Sequence, residues 1–256
     1  MSSLTITPVS AFSDNYIWLI SRDDEAFVVD PGEHAPVEAA LTQRGLSLSG
    51  ILVTHHHFDH TGAVATLQQE AGCPTWGPAE SPAGGFDYIL REGDTADVLG
   101  VPFSVLEVPG HTLDHIAYFS AAERALFCGD TLFVGGCGRV FEGTPPQMRA
   151  SLAKLLTLPG DARVFCAHEY TLANLAFAQL VEPANRDLSE FIADCVSKRE
   201  RNIPTVPSLL ADERRYNPFL RWDSPEIKST LRAAERLQAD TPDGIFTAVR
   251  EWKNNA

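Results

Sequence analysis

Five potential metal ligands crowd into the six positions His55-His56-His57-Phe58-Asp59-His60, which follow the apolar run Ile51-Leu52-Val53 after one threonine and precede Thr61-Gly62. Neutral imidazole is the commonest metal-binding side chain. A chain that gathers so many at what reads as a strand end must fold so that a cation can sit there. Buried together without a metal, these groups would repel when protonated and need many partners when neutral.

Three later apolar runs end in the same way. Val105-Leu106-Glu107-Val108-Pro109-Gly110 leads to His111, Ala125-Leu126-Phe127-Cys128-Gly129 to Asp130, and Arg163-Val164-Phe165-Cys166-Ala167 to His168. Strand ends lying side by side bring such residues together, with the sheet fixing the positions of the loops that carry chemistry. His55, His57, Asp59, His60, His111, Asp130 and His168 then make seven ligands. That exceeds the three protein ligands of a catalytic zinc site and the four of a structural one. Two divalent ions account for the surplus if one carboxylate bridges them, and Asp130 is the candidate. A nitrogen and oxygen donor set without thiolate suits zinc, iron or manganese. His34 reads as an ordinary histidine. His56, His115 and Asp30 read either as groups that orient the ligating imidazoles or as bystanders.

The first two thirds of the chain carry strand-like runs at Tyr16–Ile20, Ala26–Val29, Gly50–Thr54, Phe103–Val108, Ile116–Phe119, Ala125–Cys128 and Arg163–Ala167. Helical patterns lie between them. One runs from Ala63 to Ala71 and stops at Gly72, a C-cap residue. Another begins at Thr144-Pro145, with threonine as N-cap and proline in the first turn. From about Tyr170 the strand pattern disappears. Leu172–Val181, Leu188–Arg199, Ser208–Tyr216, Glu226–Leu237 and Asp243–Lys253 read as helices, the last two after Ser224-Pro225 and Thr241-Pro242. The expected organisation is an α/β domain over 1–169 and a smaller all-helical domain over 170–256.

A net charge of −14 argues against nucleic acid as a partner, and no apolar run approaches the roughly 18 residues that span a membrane. Any anionic substrate must be drawn in by a local basic patch, against the field of the whole molecule. The N-terminus shows no signal-peptide core. The five cysteines contain no CxxC and read as reduced thiols of a cytoplasmic protein. No dimerisation motif is visible, so a monomer is expected.

The pattern His-x-His-x-Asp-His at residues 55–60, followed by separated His111, Asp130 and His168, resembles the metallo-β-lactamase superfamily over about residues 5–170. The resemblance implies a four-layer αβ/βα sandwich with a metal site at one edge, followed here by the helical domain. It does not fix the reaction, since that superfamily includes thioester and β-lactam hydrolases, phosphodiesterases and oxygen-using iron enzymes.

A second set of residues is more specific. Ser13-Asp14-Asn15-Tyr16, the segment Gly135–Thr144, His168-Glu169-Tyr170-Thr171, Asn217-Pro218-Phe219-Leu220-Arg221 and a basic C-terminal helix together resemble the glyoxalase II family. This implies hydrolysis of S-D-lactoylglutathione, a 2-hydroxyacylglutathione thioester, to D-lactate and glutathione, the second step of methylglyoxal detoxification. By the resemblance, His55, His57 and His111 hold one metal, Asp59, His60 and His168 hold the second, and Asp130 bridges. Zinc is the expected ion, and iron or manganese suits the same donors. The expected nucleophile is a hydroxide shared by the two metals, with Asp59 and Asp130 holding it in place. Arg139, Phe141, Tyr170, Arg250 and Lys253 match positions that bind the glutathione part. Arg250 and Lys253, three apart on a helix, share a face and form a candidate carboxylate clamp.

Three positions depart from the family pattern. Arg139 stands where some members have Lys, which replaces a point charge by a planar fork. Phe141 stands where some have Tyr, which removes one hydroxyl. Asp114 stands where Gly is frequent, and Asp tolerates a left-handed backbone well enough for the turn to survive. Two other readings share the metal motif: an iron-dependent glutathione persulfide dioxygenase, and a non-catalytic metal-binding protein on the same fold. The helical C-terminal segment argues against the first, and the complete ligand set with basic substrate positions against the second.

Overall fold

Residues 3–256 are described by a computed structural model, in which the chain divides into two compact units. The first comprises the chain up to Glu107 together with Asp114–Gly129, and the second comprises Val108–Leu113 with Asp130–Ala256.

The first unit opens with an antiparallel meander, β1 (Thr5–Ala11), β2 (Asn15–Arg22) and β3 (Glu25–Val29). Helix α1 (His34–Arg44) then returns the chain to β4 (Ser47–Leu52), which pairs parallel with β3. The chain next forms the short α2 (Phe58–Thr61) and α3 (Val64–Ala71), followed by β5 (Thr75–Pro78) and β6 (Tyr88–Leu90), both parallel additions. Parallel neighbours need such crossovers, whereas antiparallel ones need only a turn. The sheet order is β1-β2-β3-β4-β5-β6.

Ile17 and Leu19 of β2 join Val9, Ala26, Val28, Ile51 and Val53 in one core with Val37 of α1 and Leu67 of α3. Tyr16, Trp18 and Ile20 alternate to the other face and are buried as well. Burial on both faces is why β2 reads as a continuous apolar run rather than an alternating one. An antiparallel series completes this unit: β7 (Thr95–Val98), β8 (Val101–Glu107), β9 (Ile116–Ser120) and β10 (Ala125–Gly129). The buried Tyr118 of β9 donates its hydroxyl to the Val53 carbonyl at 2.8 Å, which fixes the strand end that precedes the histidine run.

The first strands of the second unit form a hairpin, β11 (Leu132–Phe133) and β12 (Gly136–Cys137). Helix α4 (Pro145–Leu155) starts on a capping box between Thr144 and Gln147. Strand β13 (Arg163–Cys166) precedes α5 (Thr171–Val181) and α6 (Arg186–Glu200). The short β14 (Ser208–Leu209) pairs antiparallel with β13 and leads into α7 (Leu210–Tyr216). Helices α8 (Pro225–Ala233) and α9 (Pro242–Asn254) are capped by Ser224 and Thr241, as the cap-then-proline pattern predicts. Phe177 of α5 stacks on Phe219, which meets Phe246 of α9, and Trp252 closes edge-on against Phe177.

Two expectations need correction. The strand pattern does not end at residue 170, because β14 lies beyond it; its two residues are too few to show a period in sequence. Helix α8 stops at Ala233 rather than Leu237: Glu235 takes a left-handed φ of 55° and the Arg236 amide turns back to the Leu231 carbonyl. Among the described residues no helix is long and apolar enough to cross a membrane.

Candidate metal centre

In the first unit the histidine run leaves the end of β4 under the control of Asp30. This residue follows β3 with φ of 55°, and its amide donates to the Leu52 carbonyl at 2.9 Å. Its Oδ1 accepts from the Thr54 amide at 2.7 Å and its Oδ2 from the Thr54 hydroxyl at 2.8 Å. The same Oδ2 lies 3.2 Å from His60 Nδ1. Gly32 lets this loop lie against α2, since a Cβ there would overlap the Asp59 carbonyl.

His55 and His60 are fully buried, with rings 4.1 Å apart, and the His57 ring is 4.8 Å from that of His55. His115 stacks on His55 at 4.5 Å. Asp59 is oriented by Asn15, whose Nδ2 donates to Oδ2 at 2.9 Å, and the same oxygen lies 3.4 Å from His60 Nε2. His56 turns to Asp114 instead, with Nδ1 at 2.9 Å from Oδ1. Asp114 does not use a left-handed backbone, so its contribution is through this side chain. His34 is hydrogen-bonded to Glu70 at 2.6 Å and lies 3.9 Å from Glu38, outside this cluster.

In the second unit Asp130 stands between two imidazoles. His111 Nε2 lies 3.3 Å from Oδ2 and His168 Nε2 lies 3.3 Å from Oδ1. His111 Nδ1 is 2.7 Å from the Arg139 carbonyl. Because that carbonyl can only accept, Nδ1 carries a proton, which leaves Nε2 to face the Asp130 carboxylate. In the first unit His60 also faces carboxylates, with Nδ1 3.2 Å from Asp30 and Nε2 3.4 Å from Asp59. An imidazole held through Nδ1, with Nε2 facing a carboxylate oxygen, is the pattern of a metal-ligating histidine and its orienting partner. The donor set therefore fits divalent cations.

The substrate candidates of this unit fall into two groups. Arg139 and Phe141 are exposed, the guanidinium 5.9 Å from the Phe141 ring and that ring 5.3 Å from His111. Tyr170 stacks on His168 at 4.6 Å and is 38% exposed. Arg250 is buried: it donates to the Cys137 carbonyl at 3.0 Å and lies over Phe219. Lys253 is half-buried and donates to the Ala173 carbonyl at 3.0 Å; burial, then the charge of Arg250, lowers its pKa.

Asn15, which orients Asp59, had no sequence signal beyond its place in the Ser13–Tyr16 motif. Asp30 was half hidden in ordinary Asp-Pro-Gly turn chemistry. Asp30→Asn is expected to weaken metal binding about 10–100-fold, the usual loss when a ligand's orienting partner is removed; competition with a chelator measures it, and unchanged affinity would reject the role. Gly138 has a different part. A Cβ there would overlap the Asp130 carbonyl oxygen and press on His111. Gly138→Ala is expected to cost about 1–3 kcal/mol by overpacking. A thermal melt matching the parent would show that the segment gives way freely.

Comparison with known proteins agrees with this chemistry. The family model "Metallo-beta-lactamase superfamily" matches residues 12–168, and "Hydroxyacylglutathione hydrolase C-terminus" matches residues 169–256. A protein of Nitrosomonas eutropha named hydroxyacylglutathione hydrolase is 47% identical over 254 residues, covering 98% of this chain and 99% of its own. Among solved structures, ETHE1 from Myxococcus xanthus has a TM-score of 0.66 at 25% identity, covering 98% of each chain. TTHA1623, solved in a di-iron-bound form, has a TM-score of 0.60 at 27% identity and covers 84% of this chain and 100% of its own. The chain belongs to the hydroxyacylglutathione hydrolase family of the metallo-beta-lactamase superfamily.

Proposed function

We propose that this protein hydrolyses S-D-lactoylglutathione and related 2-hydroxyacylglutathione thioesters to the hydroxy acid and glutathione. The observation that carries the chemistry is Asp130, a buried carboxylate with one imidazole Nε2 facing each oxygen. The whole-chain similarity to hydroxyacylglutathione hydrolases supports the substrate.

His55, His57 and His111 would hold one divalent ion and Asp59, His60 and His168 the other, with Asp130 shared. Zinc is the expected metal, and the di-iron form of TTHA1623 supports iron as well. Such ions supply Lewis-acid polarisation of a carbonyl and an activated water at neutral pH. The chain's own residues hold the ligands still. Asn15 aims Asp59, the Arg139 carbonyl aims His111, and the Asp30 carboxylate stands 3.2 Å from His60 Nδ1. The exposed Arg139 guanidinium offers a planar cation to a glutathione carboxylate, and Phe141 and Tyr170 offer apolar faces to its backbone. Arg250 and Lys253 add positive charge to the same unit of an otherwise acidic chain. Glutathione thiolate is a good leaving group, so no strong general acid is required of the protein.

The five buried, reduced cysteines are consistent with a cytoplasmic setting, and we take the chain to act as a monomer. Incubation with S-D-lactoylglutathione should yield D-lactate and glutathione in equal amounts without consuming oxygen. Oxygen uptake with glutathione persulfide, and no thioester cleavage, would establish the dioxygenase instead.

A further inference from the structure

The segment Phe133–Gly138, which leads to Arg139, is held by side chains along its length. Asn174 of α5 donates to the Val134 carbonyl at 3.2 Å. Asn217 Nδ2 donates to the Gly136 carbonyl at 2.9 Å and lies 3.2 Å from the Phe133 carbonyl. Arg250 of α9 donates to the Cys137 carbonyl. All of these are donors to carbonyls. The Gly135 amide, at the left-handed corner of the turn with φ of 64°, needs an acceptor, and Glu213 of α7 supplies it through Oε2 at 3.0 Å.

Glu213 is fully buried, and Oε2 also accepts from Asn217 Nδ2 at 2.9 Å, while Oε1 accepts from the Tyr216 hydroxyl at 3.0 Å. Burying a carboxyl among neutral partners is costly, so its presence calls for a reason. It contacts no metal ligand, and the mechanism above does not use it.

We propose that Glu213 is a positioning residue for substrate binding: its Oε2 fixes the Gly135 turn, and through the segment that follows sets the place of Arg139. Burial pushes the carboxyl up to about 7, yet the role survives protonation. With a proton on Oε1, the Tyr216 hydroxyl can turn to accept it while Oε2 still accepts from Gly135 and Asn217. The titratable neighbours are the Cys166 thiol of β13, the Cys195 thiol of α6 and the Tyr216 phenol, all held up by burial and uncharged near neutrality. The Ser208 hydroxyl of β14 lies beside the carboxyl, and the charges of Asp212 and Glu169 act on those same neighbours.

The effect on substrate rests on the thioesterase function proposed above, so the test has two arms. Glu213→Met fills the space without an acceptor, whereas Glu213→Gln keeps one. In Glu213→Met, hydrogen exchange of the 132–139 amides should quicken about tenfold, as for one lost buried hydrogen bond, and return to the parent rate in Glu213→Gln. In the kinetic arm KM for the thioester should rise about tenfold in Glu213→Met, with kcat and metal content little changed and KM restored in Glu213→Gln. Glu213→Leu, a smaller apolar replacement that likewise lacks the acceptor, is the second variant and should show the same pair of changes should Glu213→Met not fold. Exchange that stays at the parent rate, or Glu213→Gln behaving like Glu213→Met, overturns the positioning role. Faster exchange with unchanged KM overturns its reach to the substrate. If the metal-loaded parent cleaves no thioester, the functional reading fails and the exchange arm alone decides the role of Glu213.

Discussion

Asp130→Asn is expected to reduce thioester hydrolysis about a thousandfold, equivalent to about 4 kcal/mol of transition-state stabilisation. The parent carboxylate turns Oδ1 to His168 and Oδ2 to His111, each at 3.3 Å. The amide keeps one acceptor, puts a donor where the other stood, and removes the negative charge that would offset the proposed cations. Asn is nearly the same size, so Gly138, which lies against the Asp130 backbone, is undisturbed. Metal analysis of the purified variant should therefore show lost metal with a circular dichroism spectrum like the parent's. Full metal content with the parent rate would remove Asp130 from the bridging position.

Glu213→Gln is expected to gain stability over the parent as pH rises, by about 3 kcal/mol between pH 4.5 and pH 8. The sign follows from the direction of the shift. Burial raises the folded-state pKa from 4.5 to about 7, so the folded protein holds this proton more tightly than the unfolded chain does. The group's contribution is fully present below pH 4.5 and is lost as pH rises through 7. Glutamine has no proton to lose and so escapes the loss. Denaturant unfolding of both proteins at pH 5 and pH 8 gives the difference, in which the other titrating groups cancel. A constant difference across that range would mean that the carboxyl titrates normally in the folded state.

The residues proposed to hold metal stand out in sequence because several stand next to one another after an apolar run. His55, His57, Asp59 and His60 needed no other information, and the apolar runs before His111, Asp130 and His168 marked the remainder. The residues that hold these ligands were largely silent. Asn15, Thr54 and Asp30 are far from their partners along the chain, and a single polar residue beside a strand has no period to betray it. Glu213 lay inside a helical pattern with nothing to mark it as buried, and Asn217 stood out only through the motif Asn217–Arg221; their burial is set by packing against Gly135 and Phe133, roughly eighty residues earlier. Strands that are long and buried, such as β2 and β10, were visible. Strands β5 and β7 were not, because Gly77, Pro78 and Asp97 interrupt the apolar signal, and β6 is only three residues long. Arg250 was legible as a cation on a helix face, but only its carbonyl partners reveal that the guanidinium also supports the Cys137–Gly138 backbone.

The most direct test of the account is to follow thioester absorbance of S-D-lactoylglutathione with the protein as purified, after chelation, and after metal is restored, with metal counted at each stage. The account predicts about two ions per chain, loss of hydrolysis on chelation and its return with the metal. Protein carrying its full complement of metal that leaves the thioester intact would contradict it.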